Sequence, residues 1–283
     1  DDLAYQKLAL DFLQQSLDFY KPQQIEFARA SGDDLLILRL WVGALEAGLV
    51  SQSKDLPSPA DTPAWVISKV LEDRTARPVL FLLSAGEDGL PLEELSEALW
   101  SQSLRCLLQH YGWLVVERGE SRICLRHPRL WQAVVDHGGQ DRNETIGQFC
   151  QYMVVKLNTT GQLNINLEEL LHWIAQARAG EASWSALQSV DFRRWKESQI
   201  HHYDSIGQGY RKVQLVSNWL AVLEIALQWG RENAPLQLHQ VLEEQLWSYS
   251  SRALTYRGLG RLHDALLDVE QAIAGFRPLV DQR

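Results

Sequence analysis

Glu169 and His172 stand three residues apart in Glu169-Leu170-Leu171-His172, a spacing that sets a carboxylate and an imidazole on one helix face as metal ligands, as in a di-iron bundle. A carboxylate-bridged centre needs a second such pair, and the sequence has no second copy; a solvated helix face is the simpler reading. His201-His202-Tyr203-Asp204 offers further ligand types, but neighbouring residues on a helix point apart and chelation usually needs i, i+4 spacing. Surface histidines are the expectation there. Gly207-Gln208-Gly209-Tyr210-Arg211-Lys212 puts two glycines and two cations before a helix, where free N–H groups attract anions. No strand precedes it, so a flexible connection between helices is favoured. Cys106 and His110 lie at i, i+4 and would make a thiol–imidazole pair. Nothing in the sequence supplies the orienting group or oxyanion site such a nucleophile needs, and a structural thiol on a core face is favoured. These readings leave no catalytic residue and no metal site.

The elements that must carry these residues are mostly helices. Hydrophobic residues make up 46% of the 283 and charged residues 22%, which fits a folding chain and excludes a disordered one. The net charge of −9 and pI near 5.4 repel a phosphate backbone, so nucleic-acid binding is disfavoured. Three cysteines, Cys106, Cys124 and Cys150, have no paired metal spacing and form no even framework. A reducing, cytoplasmic setting fits them. No apolar run reaches the length of a membrane helix, the start Asp1-Asp2 is unlike a signal peptide, and the first residue is not Met. A piece of a longer polypeptide, neither inserted nor exported, is expected.

Apolar spacing predicts a helix over Leu3 to Phe19, interrupted at Lys21-Pro22, and another over Gln23 to Ala30. Ser31-Gly32-Asp33-Asp34 supplies a turn and caps before the apolar run Leu35 to Leu49, long enough for a buried helix. Pro57, Pro59 and Pro63 mark a linker over Ser51 to Pro63, and one or two helices follow between Trp65 and Ala85. Pro91 to Leu95 opens a short helix and Ser101 to His110 forms another, closed by Gly112. Trp113 to Arg118 and Ser121 to Arg126 read as two strands around Gly119-Glu120. Helices followed by a two-stranded wing describe a winged helix. Beyond Gly138-Gly139 the helices expected are Thr145 to Leu157, Leu167 to Ala179, Ser183 to Tyr203, Tyr210 to Arg231 and Leu236 to Arg257. Ala253, Tyr256, Gly260, Ala265, Val269 and Ala272 fall at the spacing of a tetratricopeptide repeat. Ala265 and Ala272 should then face the partner helix, with Gly260 in the turn. The fold class expected is therefore mainly α, in three parts: 1–63 helical, 64–137 winged helix, and 138–283 helical repeats, tetratricopeptide-like at 246–279.

Taken together, Gln23 to Leu40, the winged-helix pattern and the repeats resemble the middle and C-terminal part of STAND-family signalling NTPases. In that family an ATPase lid ends in a stretch like Ala30-Ser31-Gly32-Asp33-Asp34-Leu35, with Gly-Asn-Pro in the typical form. The resemblance implies that residues 1–63 are a lid remnant. It implies that the winged helix controls a nucleotide switch, and that His127, in Leu125-Arg126-His127-Pro128-Arg129-Leu130-Trp131, meets the phosphate of ADP bound in the parent polypeptide. No Gly-x4-Gly-Lys-Ser/Thr segment is present, so no phosphate cradle exists in this stretch and ATP or ADP would bind an adjoining ATPase domain of the same chain. A non-catalytic regulatory or sensor piece, its repeats binding a protein or peptide trigger, is the leading expectation. The alternative is a DNA-binding transcriptional regulator, which would show a positive stripe along Arg105, Arg118 and Arg122. Most of the eleven tryptophans follow apolar stripes and belong to helix packing, leaving one or two as partner anchors.

Overall fold

The computed structural model describes residues 29–280 except 33, 87, 97–99 and 120. Among the described residues the chain is mainly helical, with 12 helices and one small antiparallel sheet. The helix expected over Leu3 to Phe19 lies outside the described residues, as does most of that over Gln23 to Ala30. No helix among the described residues is long and apolar enough to cross a membrane. The chain divides into two compact units, Asp1–Arg142 and Asn143–Arg283.

In the first unit α1 (Leu35–Glu46) begins where Asp34, in extended backbone, accepts from the N–H groups of Leu36 at 2.9 Å and Ile37 at 3.4 Å. Two of the four N–H groups a helix start leaves without partners are thereby bonded. Ile37, Leu38, Leu40 and Trp41 are buried, and the Trp41 indole N–H donates to Thr62 Oγ1 at 2.8 Å. Thr62 opens α2 (Thr62–Glu72), which carries Pro63 in its first turn; α3 (Arg77–Leu83) likewise carries Pro78. Proline at that position removes only an N–H that had no helical acceptor. Val79 to Leu83 are all buried, so α3 is a core helix on every side.

A short strand, β1 (Leu90–Pro91), precedes α4 (Leu92–Leu95) and α5 (Ser101–Tyr111); β2 (Val115–Arg118) and β3 (Arg122–Leu125) follow. The sheet order is β1-β3-β2, with Leu90 opposite Ile123 and Val115 opposite Leu125. The sheet therefore has a third strand beyond the two expected. Two consecutive residues leave no period to read, and Pro91 argues for a turn in a bare sequence. Pro91 is tolerated because β1 is an edge strand. Gly89 makes the pairing possible: its φ is +71°, and a Cβ there would sit 2.2 Å from the Ile123 carbonyl oxygen.

Helix α6 (Pro128–Thr160) is broken at Gly139, whose φ of 50° and ψ of −136° lie outside helical geometry. In the second unit follow α7 (Leu167–Gln176), α8 (Gly180–Gln188), α9 (Val190–Ser205), α10 (Gly209–Asn233), α11 (Leu238–Gly258) and α12 (Leu262–Val280). The single helix expected over Ser183 to Tyr203 is two, because Ser189 adopts extended backbone (ψ 119°) and caps α9 by accepting from the Phe192 N–H at 2.9 Å. Long α10 is the central element, packed by α7, α8 and α11, and α11 is followed by α12 as a hairpin. Its packing is aromatic: Phe192 stacks on Trp219 at 5.6 Å, and Trp184 meets Trp229 at 5.6 Å. Each of the latter pair lies against a glycine of the other helix. A Cβ at Gly180 would come within 2.5 Å of Trp229, and one at Gly230 within 2.7 Å of Trp184.

Between α11 and α12, Arg252 donates from Nε and Nη2 to both oxygens of the buried Asp268 at 2.8 Å, and from Nη1 to Ser217 Oγ at 2.9 Å. Such a two-pronged pair fixes register as well as adding attraction. Gly260, at φ +75°, makes the turn, and Ala265 and Ala272 are buried.

Candidate functional site

His127 sits where β3 ends and α6 begins, because Pro128 fixes the first helical residue and leaves His127 in the capping position. Its Nδ1 accepts from the Arg129 N–H at 3.1 Å, and its carbonyl accepts from the N–H groups of Leu130 at 3.0 Å and Trp131 at 3.3 Å. Nδ1 thus acts as acceptor, which places the ring proton of the neutral form on Nε2. Arg129 is held in turn by Asp34, its Nη1 donating to Oδ2 at 2.9 Å. The capping residue of α1 therefore also steadies the first turn of α6.

His127 lines a cavity of about 70 Å³ together with Leu83, Gly86, Arg118, Leu125, Pro128 and Trp131. The indole N–H of Trp131 is buried and has no acceptor. A space of about 70 Å³ beside a histidine and an arginine is too small for a nucleoside. Arg118 and Trp131 were not singled out with His127 in the sequence. The available signal was the hairpin register, which sets Arg118 opposite Arg122 near the end of the strands.

Most of the other candidates are engaged in local contacts. Glu169 closes a capping box: its N–H donates to Asn166 Oδ1 at 2.8 Å while its carboxylate accepts from the Asn166 N–H at 3.4 Å. His172 is exposed, 2.7 Å from the Gln176 side-chain amide. His201 and His202 are exposed on α9. Lys212, beside the Gly207-Gln208-Gly209 turn, donates to both carboxylate oxygens of Asp204 at 2.9 Å. Among the described residues no three His, Cys, Asp or Glu side chains are gathered as metal ligands.

The Cys106 thiol donates to Asp73 Oδ2 at 3.5 Å. Burial, and then the Asp73 charge, push that thiol above its ordinary range. The thiolate needed for nucleophilic work is thereby disfavoured. Asp73 also accepts from the Tyr111 hydroxyl at 3.2 Å and from the N–H of Thr75 at 2.8 Å. Of the three arginines in the expected positive stripe, Arg122 folds back on the carbonyls of Gly89 at 2.7 Å and Asp88 at 3.3 Å.

In the second unit an open cleft of about 730 Å³ lies between the 161–166 loop and α9. Trp195 walls it, and Asn166, Asp191, Arg194, Ser198 and Gln199 supply polar groups. Trp247 is the one tryptophan with most of its surface in solvent, 72% exposed. Comparison with protein-family models, with curated proteins and with solved structures found no match to this chain.

Proposed function

We infer that the chain is a non-catalytic regulatory and sensing piece of a multidomain signalling ATPase of the STAND type. In this reading α3, α4 and α5 with the three-stranded sheet form a winged helix that controls a nucleotide switch. The second unit is a tetratricopeptide-like array that receives a protein or peptide trigger in the cytoplasm. The observation that carries it is the cavity at His127. The residue implied as a phosphate contact has its Nδ1 edge occupied by backbone, leaving Nε2–H as the donor, and it lines a small cavity together with Arg118. An imidazole N–H and a guanidinium are groups that hold a phosphate oxygen.

ADP or ATP would belong to an adjoining ATPase domain; in this chain His127, with Arg118 beside the same cavity, would meet its phosphate end. When bound, the nucleotide supplies negative charge that links the two domains in the resting state. The polar cleft beside Trp195 has the mixture of flat aromatic and hydrogen-bonding groups that peptide backbones and side chains use. Reading the coding sequence upstream of Asp1 tests the proposal: a phosphate-binding loop within the preceding few hundred residues is expected, and its absence contradicts it.

A further inference from the structure

Of the fourteen large hydrophobic side chains exposed among the described residues, seven lie on α11 and α12. Scattered exposed apolar residues are normal, whereas a contiguous patch marks an interaction surface. On α12 the stripe is Leu262, Leu266, Val269 and Ile273, at steps of four, three and four. Beside it Ala253, Ala265 and Ala272 floor a groove of about 550 Å³.

The α11 stripe reads Glu243, Trp247, Ser250, Leu254 and Arg257, at steps of four, three, four and three along one helix face. It is balanced about Ser250. Glu243 and Arg257 each stand seven residues from it, about 10 Å along the axis. Both are exposed and neither is paired with another charged residue among the described ones. Trp247 and Ala253 each stand three residues from it, one large and one small. If the helix is turned over about an axis through Ser250, Glu243 meets Arg257 and the Trp247 indole meets the small Ala253.

We propose that this face is a homodimer interface, in which α11 packs antiparallel on α11 of a second copy about a twofold axis at Ser250. The pairing is isologous, the common form for homo-oligomers. Trp247, Leu254, Leu262, Leu266, Val269 and Ile273 are 42 to 72% exposed, roughly 700 Å² per copy, so covering them fully in a pair would bury up to about 1,400 Å², inside the range of stable interfaces. A foreign amphipathic helix would also cover apolar surface, but it does not require an acid and a base at equal distances from one small residue. The inference rests on the hairpin alone and not on the STAND reading.

Sedimentation equilibrium on the intact chain tests it. A dimer is expected by about 100 μM, and Trp247→Glu, at an exposed position, should give a folded monomer. Glu243→Arg and Arg257→Glu should each weaken the dimer roughly three- to tenfold, while the two together restore it. Ser250→Cys should yield a disulfide-linked dimer under mild oxidation, which reports the axis even if Trp247→Glu fails to fold. A chain that stays monomeric, whether or not it captures another protein, overturns the proposal. So does a dimer indifferent to Trp247→Glu and to the paired charge reversals.

Discussion

Asp73 shows how one carboxylate can hold three segments of the first unit. Burial alone would push its carboxyl up, but N–H groups of Thr75 and Ala76, with the Cys106 thiol and the Tyr111 hydroxyl, outweigh that and hold it below the usual carboxylate range. For Tyr111 burial and the Asp73 charge act together, and its hydroxyl is pushed up to about 12. A folded-state value below the unfolded one means the ionised form stabilises the fold. That contribution is complete above the ordinary Asp range and is lost as pH falls through the depressed value. Asp73→Asn should therefore lower stability at neutral pH and flatten the acid limb of a stability–pH curve below about pH 4. Denaturant melts of both proteins across that range would show it, and parallel curves would refute it. Glu169→Ala should cost about 1 kcal/mol through the lost half of a capping box. Its effect on metal content should be nil, since Glu169 and His172 are engaged separately.

At the scale of elements, packing is governed by reciprocal fits of small against large. Gly230→Ala places a methyl within 2.7 Å of the Trp184 ring, and overpacking of this kind typically costs about 1–3 kcal/mol. A thermal melt should show the drop, and Trp184→Phe should recover part of it. Ala265→Leu should loosen the terminal hairpin, with faster amide exchange confined to α11 and α12; unchanged exchange would mean the groove beside Ala265 absorbs the larger side chain. The sequence made most of these elements legible, because apolar spacing and caps such as Asp34 report locally. It did not reveal β1, since two residues carry no period, nor the break at Ser189, since a serine inside an apolar helical run gives no warning. His127 was visible only through the Leu125-to-Trp131 resemblance. Arg118 joins it through the hairpin register, and Trp131 stands one helical turn beyond it. The contrast between the exposed Trp247 and the buried Trp219 was equally hidden, because both follow helical apolar stripes.

For the whole molecule, a net charge of −9 and an Arg122 folded onto backbone carbonyls weigh against a nucleic-acid partner. The cavity at His127 is small, about 70 Å³. Isothermal calorimetry on this chain alone should accordingly show no micromolar ATP affinity, and its appearance would assign the chain a nucleotide site of its own. The most direct measurement is nucleotide retention by the full-length polypeptide, purified with His127 and with His127→Ala. ADP should co-purify with the first, and its release should be about tenfold faster or more in the second, the effect of losing one charge-assisted contact. Equal release rates, or a polypeptide that carries no nucleotide, would contradict the account.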